Sequence, residues 1–284
     1  MIFSGDKTEI SKIKLPYGQI DSIPESIGDL TSLTELDISF NIMYDLPDSI
    51  RKLKSLTRLN VSNNKMSHLP DSFGDLTSLT NLNASNNKIT RLPDCIGNLS
   101  RLKSLNVLRN QLTLLPDSIG KLKSLTHLDI AGNQLTHLPD CFGELTSLTL
   151  LNVFSNKLTY LPDSFGGLRS LRVLDIRNNR LTYLPDSFGN LASLADMDVS
   201  DNRLTHLPES FGNLSSLTNL QVRENFHLSR LPDSIGNLSS LEELNVGENQ
   251  LTELPDSIGS LTSLTCLIVN NNQLTSLPNS IGCM

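Results

Sequence analysis

The sequence predicts an α/β repeat solenoid, in which short strands alternate with short helical or irregular returns, and three observations predict it. Leucines at 33, 56, 79, 102, 125, 148, 171 and 194 recur every 23 residues; Leu217, Leu241 and Leu264 continue the series, and Ile10 opens an earlier copy. Each copy begins with an alternating apolar stretch, as a strand with one buried face requires. Each then passes through a fixed Asn, a fixed Pro and a fixed Gly. A period in this range marks stacked supersecondary units that bury a common core.

Counting from Ile10 gives twelve repeats over residues 10–284, behind a lead-in of residues 1–9. The repeats join directly, with no linker and no second domain. Their consensus is LxxLxVxxNxLTxLPDSIGNLxS. Position nine is Asn from Asn41 to Asn272, with Gly18 in the first copy. A buried amide there would satisfy backbone groups freed where each strand turns. Pro at position fifteen ends the strand side. The acid at position sixteen (Asp48, Asp71, Asp94 and onward) suits capping of a short helical turn. Position eighteen is Ile or Phe, which should fill the core behind the strands, and Gly at position nineteen suits a tight turn.

These repeats resemble leucine-rich repeats, and the LPxSIGxL return resembles the intracellular 23-residue class. That class includes plant Ras-group proteins, the Ras suppressor protein, scribble-type scaffolds and bacterial translocated effectors. The resemblance implies a curved solenoid with a parallel β-sheet on the concave face and short turns on the convex face. It also implies a non-catalytic platform that binds protein on the concave face. Two other readings follow from it: the substrate-recognition part of a bacterial effector, whose catalytic domain would lie beyond SLPNSIGCM, or a regulator of a small-GTPase pathway.

The net charge of -7 argues against a nucleic-acid or anionic-membrane surface. No stretch has the roughly 20 apolar residues of a membrane helix. MIFSGDKTEISK lacks the pattern of a signal peptide. Cys95, Cys141, Cys266 and Cys283 form no CxxC pair, which fits a reducing compartment, so we expect a cytoplasmic protein, or one delivered into a host cytoplasm. Sequons at Asn60, Asn83, Asn98, Asn213 and Asn237 read as products of the repeat.

No enzyme is expected. His68–Ser72 offers His, Asp and Ser, yet Asp and Ser recur in most repeats as structural positions, and a triad is defined by geometry. His68, His137 and His206 share position thirteen, three repeats apart, which separates them by about 15 Å and rules out a shared zinc ion. No small-molecule cofactor and no metal motif is expected.

The residues that break the repeat while pointing outward mark the binding surface. Positions three, five, seven and eight should face the concave side. There Leu108, Ala131, Leu150, Phe154 and Val173 form an apolar group, with Arg109, His127 and Arg177 around it. Exposed apolar surface rimmed by charge is a usual interaction mark. Asp196, Asp198 and Arg223 belong to a charged stretch beyond it, suited to a basic partner segment. A second stripe at position thirteen (Arg91, Leu114, His137, Tyr160, Tyr183, His206, Arg230) would make a lateral interface. The repeat from Leu217 has one extra residue at Phe226-His227, where a bulge would push Phe226 outward.

Overall fold

In a computed structural model, described over residues 10–283, every repeat contributes one three-residue strand and one five-residue 3-10 turn. The expected lead-in of residues 1–9 lies outside the described residues, as does Met284. Two compact bodies meet in sequence between Gln134 and Leu135, inside the sixth repeat. The N-terminal body holds β1 (Lys12–Lys14), β2 (Glu35–Asp37), β3 (Arg58–Asn60), β4 (Asn81–Asn83), β5 (Ser104–Asn106) and β6 (His127–Asp129). The C-terminal body holds β7 (Leu150–Asn152), β8 (Val173–Asp175), β9 (Asp196–Asp198), β10 (Asn219–Gln221), β11 (Glu243–Asn245) and β12 (Cys266–Ile268). Within each body consecutive strands pair in parallel, with like repeat positions opposite one another, as in Glu35 to Arg58 and Val173 to Asp196.

The fourth and sixth positions point inward, so Leu59, Val61, Leu174 and Ile176 are buried to 2% exposure or less. The Asn ladder closes the strand end. Asn64 Oδ1 accepts the Met43 N–H at 3.0 Å, while its Nδ2 donates to Ile38 O and Val61 O at 3.0 and 3.1 Å. One amide thus satisfies three buried backbone groups in two repeats, which a hydroxyl or a methyl group could not do. Behind the strands, Phe142, Phe165, Phe188 and Phe211 stack with centroids 6.2, 5.9 and 6.0 Å apart and rings within 5° of parallel. Offset stacking at that spacing is favourable beyond simple burial.

Two positional expectations need correction. The acid at sixteen does not cap the turn: the extended Pro before it holds the cap position, as Pro47 does with φ -69°. Pro47 O then accepts the Ile50 N–H at 3.0 Å. The acid is the first residue inside the turn, and Glu25 reaches the next repeat, its Oε2 accepting the Ser49 N–H at 3.0 Å. The Gly at nineteen is not a conformational requirement either, since only Gly132 has positive φ among the described glycines. It permits close stacking instead. A Cβ on Gly97 would sit 2.5 Å from Ser118 O, and one on Gly28 would sit 2.5 Å from Ser49 O.

Candidate binding surfaces

Strand geometry first decides which side chains stand out from the sheet. All nine Asp or Asn residues at position five accept the N–H two residues on, from Asp37 to Ser39 at 3.0 Å through Asn245 to Gly247 at 3.1 Å. This Asx turn ends nine of the twelve strands. It explains the acidic row without a partner, Asp198 included. It also folds the chain so that a small residue at seven is buried: Ser39, Ser62, Ser85, Ser200 and Ala131 are 5% exposed or less. The expectation that Ala131 faces solvent is therefore corrected, and only long side chains at seven protrude.

Position eight adopts the left-handed region in every repeat, from Tyr17 (φ 60°) to Asn271 (φ 53°). Asn63, Asn86, Asn178 and Gly132 suit that backbone; Tyr17, Phe40, Arg109, Glu224 and Glu248 do not. Tyr17 and Phe40, 77% and 43% exposed, stack with centroids 4.5 Å apart. Alternation along a strand carries no information on φ at its end, so the sequence did not signal this column.

The expected apolar group is divided between the bodies. In the N-terminal body Leu108 is half-buried, and Arg109 and His127 are exposed. Beside them β2 to β5 line a shallow polar basin of about 380 Å³ around Arg58 and Asn81.

In the C-terminal body Leu150 and Phe154 are half-buried, and Val173 and Arg177 are exposed. The Arg177 guanidinium lies 4.9 Å from the centre of the Phe154 ring. Asp175 and Asp198 fix it there at 3.1 and 3.7 Å. Burial pushes the Asp175 carboxyl above its ordinary range, against the pull of Arg177. Further along, Asp196 is exposed and accepts from Asn219 at 3.2 Å; Gln221 donates to Asn219 and Glu243 at 2.9 and 2.8 Å. Partial loss of solvent around the carboxyl, then the charges of Asp198 and Glu243, raise Asp196 too. Arg223 pairs with Glu224 at 3.0 Å.

At position thirteen, Leu114 in the N-terminal body and Tyr160 and Tyr183 in the C-terminal body are 48%, 41% and 45% exposed. In the C-terminal body Tyr183, His206 and Arg230 border a groove of about 940 Å³. His137 and His206 each contact the hydroxyl of the preceding Thr, at 3.0 and 2.9 Å. His68 contacts Ser67, whereas Ser72 donates to Asp48, so His68, Asp71 and Ser72 do not assemble. Among the described residues no group of three His, Cys, Asp or Glu could hold a metal ion. None of their helices is long and apolar enough to cross a membrane. The extra residue of the tenth repeat forms a turn closed by Leu228 N–H to Asn225 O at 2.8 Å, with Phe226 55% exposed. Asn249 Oδ1 then takes the Asn225 N–H, and the ladder continues.

The family model described as leucine-rich repeat region matches residues 12–88, 81–159 and 223–284, and the leucine rich repeat model matches 159–204 and 170–226. No curated protein matches in sequence. Among solved structures, a leucine-rich-repeat protein of Leptospira interrogans is 29% identical, with TM-score 0.68, over 97% of this chain and 88% of that one. A TDR receptor is 32% identical with TM-score 0.80, over 93% of this chain and 49% of that one. Drosophila Toll, solved in its complex with Spatzle, is 25% identical with TM-score 0.87, over 96% and 39%. The chain thus spans about half or less of either receptor. Domains of this fold, receptor ectodomains among them, are generally non-catalytic platforms for protein interaction.

Proposed function

Because the chain belongs to the leucine-rich-repeat family, we propose that it binds a protein partner on the outward face of its parallel sheet. The observation that carries this reading is Arg177 held over Phe154 by Asp175 and Asp198. Aromatic and Arg side chains are the usual anchors of interfaces, and fixing them beforehand lowers the entropy lost on binding. Leu150 and Val173 flank the pair in repeat position, and Leu108, Arg109 and His127 present the corresponding surface in the N-terminal body. Asp196, Asp198, Glu243 and Arg223 give the adjoining face a predominantly negative character, which selects a partner segment carrying basic residues.

The LPxSIGxL return, which resembles the intracellular class, favours an intracellular setting. The test is affinity capture with the wild type beside Phe154→Asp combined with Leu150→Asp, with folding checked by circular dichroism. Proteins retained by the wild type should be lost from the folded variant. Retention of the same proteins by both would overturn the reading.

A further inference from the structure

A second surface lies away from the sheet face, in the groove of about 940 Å³ on the return side of the C-terminal body. The LPD or LPE segments of the eighth to tenth repeats build it, with buried Leu207 and its neighbouring Pro208 in the floor. Tyr183, His206 and Arg230 form one rim. Asp186, Glu209 and Asp233 form the other, and Asp163 and Glu253 stand at the groove's ends. Four carboxylates at position sixteen thus face one guanidinium and one imidazole, and Glu253 continues the position-thirteen column beyond Arg230. Among the described residues none of the five is in an ion pair, and Glu209 additionally accepts the Ser234 N–H at 3.3 Å.

The spacing of the acids is as informative as their sign. Asp163, Asp186 and Glu209 begin the turns whose Phe165, Phe188 and Phe211 stack 5.9 and 6.0 Å apart, and Asp233 begins the next turn of the series, so the carboxylates repeat with a step of roughly 6 Å. Side chains on one side of an extended peptide recur at about 6.5 Å, two residues at roughly 3.3 Å each. Asp163 to Asp233 spans roughly 18 Å, the reach of five or six extended residues. The intervening side chains of such a peptide would point to the other rim, where Tyr183 is 45% exposed.

We propose that this groove binds an extended peptide with Lys or Arg at alternate positions, each meeting one acid of the Asp163–Asp186–Glu209–Asp233 row. The surface is independent of the sheet face: one can fail while the other holds.

The experiment measures fluorescence anisotropy of labelled Arg-Leu-Arg-Leu-Arg-Leu and its isomer Arg-Arg-Arg-Leu-Leu-Leu. The full chain should bind the alternating peptide about threefold more tightly, since the block isomer, with Arg at its first and third positions, loses one of three exposed pairings. Asp186→Asn with Glu209→Gln and Asp233→Asn should abolish that preference, while the new side-chain amide of the Glu209→Gln change still accepts the Ser234 N–H through its oxygen. Asp196→Asn with Glu243→Gln on the sheet face should leave it unchanged, as should the Phe154 and Leu150 variant. Equal affinity for the two peptides, no binding of the alternating one, or full binding by the folded triple variant would each overturn the proposal. So would loss of binding in the Asp196 and Glu243 variant, which would place the peptide on the sheet.

Discussion

The guanidinium of Arg177 lies 4.9 Å from the centre of the Phe154 ring, one repeat away, and is tied to Asp175 and Asp198. The two residues share position seven of adjacent repeats, so register alone brings them side by side. What reads in sequence as an exposed Phe is a Phe partly covered by a cation. Its stabilising effect at a half-exposed site should be modest, about 0.5–1 kcal/mol. A double-mutant cycle of Phe154→Leu and Arg177→Met, read by urea unfolding, should return a coupling of that size. A coupling near zero would mean that the contact does not order the two side chains in solution.

The ladder is the opposite case, a buried polar group with much at stake. Asn87 Oδ1 accepts the Met66 N–H at 3.0 Å, and Nδ2 donates to Val61 O and Ala84 O at 3.0 and 3.1 Å. Asn87→Ala leaves the Met66 N–H without a partner and takes one of two donors from Val61 O and from Ala84 O, which keep Asn64 and Asn110; the unpaired buried group costs about 1–3 kcal/mol. The loss of unfolding free energy should therefore be about 1–3 kcal/mol. Asn87→Asp should be nearly as damaging, because a carboxylate cannot donate. Chemical denaturation showing either change to be mild would mean that water or backbone movement replaces the amide.

Much of this was legible in sequence, and the part that was not shares one cause. The frame of leucines, the Asn ladder and the outward Phe226 follow from residue type and period. The roles of the acid at sixteen and the Gly at nineteen do not, because their decisive contacts lie in the next repeat. Glu25 meets Ser49, and the space beside Gly97 is filled by Ser118. In a period of 23 such contacts mimic local ones, so a Gly needed for stacking reads as a Gly needed for turning. The binding surface was legible only as departures from the consensus. The burial of Ala131 and the covering of Phe154 depend on the Asx turns and on neighbouring side chains, which periodicity does not report.

The left-handed column separates fold from function by energy. Glu248 sits at φ 55° where Asn or Gly would be relaxed. The conformation costs an ordinary residue about 1–2 kcal/mol, and Asn recovers part of it through local hydrogen bonding. Glu248→Asn should raise the unfolding free energy by about 0.5 kcal/mol. Phe40→Asn should gain less, because the stack with Tyr17 is lost with the ring. If thermal unfolding shows Glu248→Asn to be destabilising, then Glu248 makes compensating contacts in the folded state.

Asp196 predicts how stability should depend on pH. Partial loss of solvent raises its carboxyl above the ordinary value, reinforced by the negative charges of Asp198 and Glu243 and opposed by the amide of Asn219. In the unfolded chain it titrates near about 3.9. Between that value and the higher folded one, the folded protein holds the proton more tightly. This contribution is therefore complete below the unfolded value and is lost as the pH rises through the folded value. At neutral pH the ionised carboxylate works against the fold. Asp196→Asn removes the charge, and its amide oxygen can still accept from Asn219. The variant should melt at a higher temperature than the wild type near pH 7, and the difference should close as the pH falls to about 3. A variant that melts lower than the wild type at neutral pH would show that Asp196 is held by a favourable partner and that the crowding of carboxylates along β9 to β11 carries no penalty.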